Sequence, residues 1–126
     1  MRAVDTNVLV RLITRDDASQ VLLAEEFVSK GAWVSHVVLA ETMWVLSAAY
    51  DLRADEIATA IHMLLEHETL TLQDNEVVAT ALALYREQPA LGFSDCLVLE
   101  IARKAGHIPL GTFDRALGKR DGAHRL

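Results

Sequence analysis

Along the chain, short apolar runs alternate with longer stretches whose apolar positions recur at helical spacing. Arg2 to Asp5 is a brief apolar approach to Asp5-Thr6-Asn7, and Val8, Leu9, Leu12 and Ile13 then repeat every three or four residues, which predicts strand, turn, helix. Asp16, Asp17 and Ser19 offer N-caps for a second helix carrying Val21, Leu22, Ala24 and Phe27 and ending near Lys30-Gly31. Ala32-Trp33-Val34 follows that glycine and is too short for a helix, so it reads as a buried strand. Ser35 caps a third helix through Tyr50. Arg53 to Glu66, with Ile57, Ile61, Leu64 and Leu65 on one face, is a fourth, and Thr69 to Leu72 alternates as a strand does.

The second half continues the alternation. Asp74 is a cap candidate for a helix striped by Val77, Val78, Ala81, Leu84 and Tyr85 and stopped at Gln88-Pro89. Ser94-Asp95 opens another, with Leu97, Val98, Ile101 and Ala102 expected inside and Lys104-Ala105-Gly106 closing it. Ile108-Pro109-Leu110 reads as a strand, Asp114 to Leu117 as a short helix and His124-Arg125-Leu126 as an edge strand. Strands alternating with helices imply βαβ crossovers, hence an α/β fold with a mainly parallel sheet of four to five strands between helices. In such sheets ligands gather outside the carboxyl ends of the strands.

With 126 residues, 52% of them apolar and only two prolines, the chain is expected to form one globular domain over residues 1–126. A single cysteine, Cys96, excludes an intrachain disulfide and a thiolate zinc cage, and reads as a small core residue rather than a nucleophile. The opening residues lack the apolar run of an export signal, being interrupted by Asp5, Asn7 and Arg11, so a cytoplasmic location is expected. The greasiest segment, Val37 to Tyr50, contains Glu41 and Thr42, and no membrane span is expected. The five histidines, His36, His62, His67, His107 and His124, show no i,i+4 ligand spacing, which argues against zinc. Trp33 and Trp44 are most economically core residues, with a dimer or partner interface as the other use of either.

A net charge of −6 counts against a simple phosphate-neutralising surface. Most of the 18 acidic residues, such as Glu25-Glu26 and Asp55-Glu56, fall on polar helix faces. Four do not read so simply. Asp5, Asp95 and Asp114 could each serve merely as helix-terminal charges or caps. Glu41 has Val37, Val38, Trp44 and Val45 as helical neighbours and so needs a partner, Arg11 being one structural candidate. All four lie within a turn or so of the carboxyl end of a predicted strand or of the helix that follows it. Carboxylates gathered at one rim would repel one another unless a hard divalent cation lay among them, and an all-oxygen set selects Mg²⁺ or Mn²⁺. Such a site suits phosphodiester hydrolysis. Arg11, Arg15, Arg115, Lys119, Arg120 and Arg125 are the candidate contacts to a nucleic-acid backbone.

Asp5-Thr6-Asn7-Val8-Leu9, Val38-Leu39-Ala40-Glu41, Phe93-Ser94-Asp95 and Thr112-Phe113-Asp114, in this order and across the whole chain, resemble the motifs of the PIN-domain ribonucleases, in particular the VapC-type toxins of toxin–antitoxin pairs. The resemblance implies a PIN-like three-layer fold and a catalytic, metal-binding quartet of Asp5, Glu41, Asp95 and Asp114 around Mg²⁺ or Mn²⁺. Thr6, Asn7 and Thr112 would be its supporting polar groups. It further implies RNA as substrate, a homodimer and a cognate antitoxin. Some members carry a further acid just after the fourth motif, where this chain has Arg115 and Ala116. A haloacid-dehalogenase-like phosphatase also opens with an aspartate after its first strand, but Asn7 stands where its second aspartate belongs. A non-enzymatic receiver-like domain matches the length and acidity, yet only Asp74 approaches the phosphoacceptor position and no lysine follows the last strand.

Overall fold

In the computed structural model, which describes residues 1–126, the chain divides into two units, Met1–Asn75 and Glu76–Leu126. The first contains β1 (Arg2–Ala3), α1 (Thr6–Thr14), α2 (Ala18–Val28), β2 (Ala32–Val34), α3 (His36–Tyr50), α4 (Ala54–Glu66) and β3 (Leu70–Leu72). The strands pair in parallel in the order β1-β2-β3, with Ala3 opposite Trp33 and Val34 opposite Leu72. Local chemistry starts the helices where the sequence predicts. Asp17 accepts a hydrogen bond from the Gln20 N–H (3.1 Å), and Ser35 accepts one from the Val38 N–H (3.1 Å). The Arg53 N–H donates to the Glu56 carboxylate at 2.9 Å, half of a capping box. Leu9, Val10, Val34, Leu39, Leu46 and Ile61 form the fully buried centre.

The second unit begins with α5 (Asn75–Glu87), whose first residue closes the first unit, and continues through a 3-10 turn at Pro89–Leu91, α6 (Phe93–Ala105), β4 (Leu110–Thr112), a second 3-10 turn at Leu117–Lys119 and β5 (Ala123–Arg125). Gly106, at φ +83°, takes the left-handed C-cap of α6 that a side chain would resist. β4 and β5 pair in parallel, with Thr112 opposite Arg125. Val78, Ala81, Cys96 and Leu99 are buried, and the Cys96 thiol is pushed up to about 11, chiefly by that burial, so it is an inert core residue as expected.

The architecture is α/β with every strand pair parallel, in keeping with a PIN-like fold, but several expectations need correction. The single sheet of four to five strands is instead a three-stranded sheet and a separate two-stranded one. β1 is only two residues long, and the ladder bonds of β4 go to the β5 segment, from the Leu110 N–H to Gly122 O and from the Leu126 N–H to Thr112 O, both 2.8 Å. β4 begins at Leu110 rather than Ile108, because Pro109 has no N–H to donate. The short helix placed at Asp114 to Leu117 is the 3-10 turn at Leu117–Lys119. In α5 Leu82 is buried and Leu84 only partly so. In α6 the buried side is Phe93, Cys96, Leu97, Leu99 and Glu100, leaving Val98 and Ile101 exposed. Trp33 and Trp44 are not core residues: they are 36% and 67% exposed. α3 is apolar nearly all round, and its buried stripe is Leu39, Thr42, Met43 and Leu46, which turns Val37, Glu41 and Trp44 outward.

Candidate active site

In the first unit, parallel pairing in register makes the chain leave β1 and β2 at the same edge of the sheet. Leaving β1, it passes Val4 and reaches Asp5, the N-cap of α1, whose Oδ1 accepts a hydrogen bond from the Val8 N–H at 3.3 Å. The next residue, Thr6, donates from Oγ1 to Glu41 Oε1 at 2.5 Å, and Glu41 stands on the second turn of α3, the helix that follows β2. The first two motifs, 35 residues apart, are thereby joined directly. Glu41 is exposed rather than enclosed by apolar neighbours. Its partner is Thr6 and not Arg11, which is held by Gln20 (2.6 Å), Asp16 (3.3 Å) and the Tyr50 hydroxyl (3.3 Å). Asn7 is exposed beside this pair.

The second unit holds the other two acids. Asp114 follows β4; its N–H donates to Thr112 Oγ1 (3.0 Å), and its Oδ1 accepts from the Leu117 N–H (2.8 Å). Asp95 lies in the first turn of α6 and is half-buried. Its helix follows the 3-10 turn at Pro89–Leu91, so Asp95 does not stand behind a strand as the sequence suggests. Burial, and then the negative charge of Asp114, push the Asp95 carboxyl above its ordinary range.

The bland and the chemical readings of these acids turn out to be compatible. Asp5 and Asp114 do cap helical turns, but each does so with one oxygen, and Glu41 likewise spends one oxygen on Thr6. The second oxygen of each is left over. No group of three or more His, Cys, Asp or Glu side chains forms a ready metal cage; Asp5 and Glu41 belong to the first unit, Asp95 and Asp114 to the second. The donors are all hard carboxylate oxygens, and Asp95 carries a charge penalty that a cation relieves, so the residue types fit a hard divalent ion.

Among the basic candidates, Arg15 is tied to Glu25 (2.6 Å) and Arg120 to Glu87 (3.6 Å), whereas Arg115, Lys119 and Arg125 are exposed and make no ion pair. Sequence reasoning passes over Phe113, which is 81% exposed between Thr112 and Asp114. Its only signal is an aromatic residue set between two polar motif positions.

Asp5 and Asp114 each follow a parallel strand, at the carboxyl end where α/β folds gather their ligands. The model of the PIN domain family matches residues 2–123, and the chain belongs to that family. No curated protein matches it significantly. Membership brings a nuclease-type activity, nucleic acid as the substrate class and a general use of divalent metal ions. No helix is long and apolar enough to cross a membrane.

Proposed function

We propose that the chain is a Mg²⁺- or Mn²⁺-dependent endoribonuclease, that residues 1–126 work as one nuclease domain, and that Asp5, Glu41, Asp95 and Asp114 serve a single catalytic site. The observation that carries this is the economy of the carboxylates: Asp5, Glu41 and Asp114 are each anchored through one oxygen, with the other free to face a cation. Thr6 orients Glu41, and Thr112 holds the backbone at Asp114. Asp95, whose charge is disfavoured by burial and by Asp114, gains from a neighbouring cation. When bound, such an ion would supply an activated water and neutralise charge on the scissile phosphate. Arg115 and Lys119, free of acidic partners, are suited to hold the flanking backbone, while Arg11 and Arg15 are already engaged by their own neighbours.

The same reading makes the chain the toxin of a VapBC-type pair, with a cytoplasmic location, a homodimer and a cognate antitoxin. Exposed Val37 and Trp44 flank Glu41 on one helix face, an apolar surface beside an acidic one, which suits protein contact together with a basic side chain. The test is cleavage of unstructured RNA by the purified protein with Mg²⁺, with Mn²⁺ and with excess EDTA, alongside Asp5→Asn. Cleavage should require the ion and fall at least a hundredfold in Asp5→Asn, corresponding to about 3 kcal/mol of lost transition-state stabilisation. Full activity in EDTA or in Asp5→Asn would defeat the proposal. Sedimentation of the same preparation, alone and co-expressed with the product of an adjacent small reading frame, checks the dimer and the antitoxin.

A further inference from the structure

Among the large apolar side chains, Phe113 is the one left most open to water, 81% exposed. The chain's other two phenylalanines are both covered. Phe27 lies under the Arg2 guanidinium, 3.8 Å from the ring centroid, and Phe93 is buried edge-on to Tyr85, with centroids 6.1 Å apart and planes at 74°. Phe113 has neither a ring nor a cation against it. A phenyl face given up to solvent forfeits the burial that drives folding, so its position calls for a reason.

Its backbone is held on both sides. Thr112 is paired with Arg125 in the β4–β5 ladder and accepts from the Asp114 N–H at 3.0 Å, while Asp114 accepts from the Leu117 N–H at 2.8 Å. The ring therefore projects from a fixed turn, and ordering it against a ligand costs little beyond its own two rotations. Next to it in the chain stand Asp114, an acid of the candidate site, and Arg115, with Lys119 four residues further on; both cations are exposed. An open aromatic face beside free cations fits an unpaired nucleobase and its phosphates, because every base presents a π-face and the cations take the backbone. A duplex would keep those faces stacked inside itself. An apolar protein surface fits less well, since the ring's neighbours in the turn, Thr112, Asp114 and Arg115, are polar or charged.

We propose that Phe113 is the stacking platform for one unpaired base beside the scissile phosphate. This rests on the ribonuclease reading above and adds to it a residue that holds a base.

The test uses the full chain and short RNA oligomers carrying 2-aminopurine or an abasic residue at successive positions. With Mg²⁺ present, Phe113→Leu should raise KM about tenfold at unchanged kcat, within the range of one lost base stack, and Phe113→Tyr should restore it. On Asp5→Asn protein, which binds without cutting, 2-aminopurine fluorescence should be quenched at one position and recover when Phe113→Leu is added. RNA abasic at that position should erase the KM difference between the two proteins. Wild-type KM and quenching in Phe113→Leu would overturn the proposal, as would an equal penalty on abasic RNA. An altered sedimentation coefficient with unaltered RNA kinetics would also overturn it, assigning the ring to a protein contact. Should the wild-type chain cut no RNA yet quench only through Phe113, the nuclease reading fails and the stacking stands; cleavage indifferent to Phe113 is the reverse case.

Discussion

At the scale of single residues, Asp95 and Asp16 differ in what surrounds them, and this decides how each responds to pH. Asp95 is disfavoured as an anion by burial and by Asp114, so in the folded protein it keeps its proton at pH values where the unfolded chain has released it. The folded state then binds more protons. This contribution to stability is fully present below the ordinary aspartate value of 3.8 and is lost as pH rises through the higher folded value. In metal-free protein, Asp95→Asn should therefore melt higher than wild type at neutral pH, with the gap closing toward pH 3. A lower melting temperature at neutral pH would mean that Asp95 acts only as a favourable charge in the first turn of α6. Asp16 supplies the contrasting sign. The Tyr50 hydroxyl, then Thr14 and Arg11, hold its carboxyl below the usual range, so its contribution is present above 3.8 and lost as pH falls through the folded value.

At the scale of elements, α6 illustrates what a sequence can hide. Glu100 is 7% exposed, and both its oxygens receive the Arg103 Nε–H, at 3.0 and 3.3 Å. Arg103 Nη2 also donates to the Asp121 carbonyl at 2.6 Å, and the guanidinium lies so close over Gly122 that a Cβ there would meet Nη1 at 2.9 Å. This clamp fastens the start of β5, and through its ladder β4, to the helix that carries Asp95. Arg103→Ala should cost about 2–3 kcal/mol by urea denaturation, below the full value of a broken buried pair because Arg103 is itself partly exposed. Loss of less than about 0.5 kcal/mol would show that Glu100 finds other partners or water. Periodicity could not reveal this arrangement, since Glu100 reads as a polar outward position and its clamp reaches Asp121, 18 residues beyond Arg103. For the same reason the buried side of α3 was not legible, because its apolar residues surround the helix. Helix starts at Asp5, Asp17 and Ser35 and the stop at Gly106 were legible, because a cap is decided within three or four residues. The acids behind β1 and β4 could be picked out by their place just after short apolar runs, whereas the burial of Asp95 depends on packing that no local pattern encodes.

For the whole molecule, the question is whether the acid pairs of the two units answer to one ion or act separately, and metal-linked stability decides it. A ligand that binds only the folded state stabilises by RT ln(1 + [L]/Kd), about 2.7 kcal/mol when Mg²⁺ is at a hundredfold excess over Kd. For a chain of this size that corresponds to a rise of roughly 10 °C in Tm. If Asp5 and Glu41 in the first unit and Asp95 and Asp114 in the second serve a single site, the substitutions should behave alike. Asp5→Asn and Asp95→Asn should each abolish most of the Mg²⁺ shift, and the double variant should be little worse, because removing one carboxylate from a shared set leaves too few ligands for a hard cation. Independent pairs predict additivity, with each single variant keeping the response of the untouched unit and only the double variant losing both. Two separate thermal transitions, only one of them moved by Mg²⁺, would likewise assign the ion to one unit alone. Melts of the four proteins in EDTA and in Mg²⁺ therefore read out the union of the pairs without reference to cleavage, and additivity would remove the single four-carboxylate site even if the chain proved to be a ribonuclease.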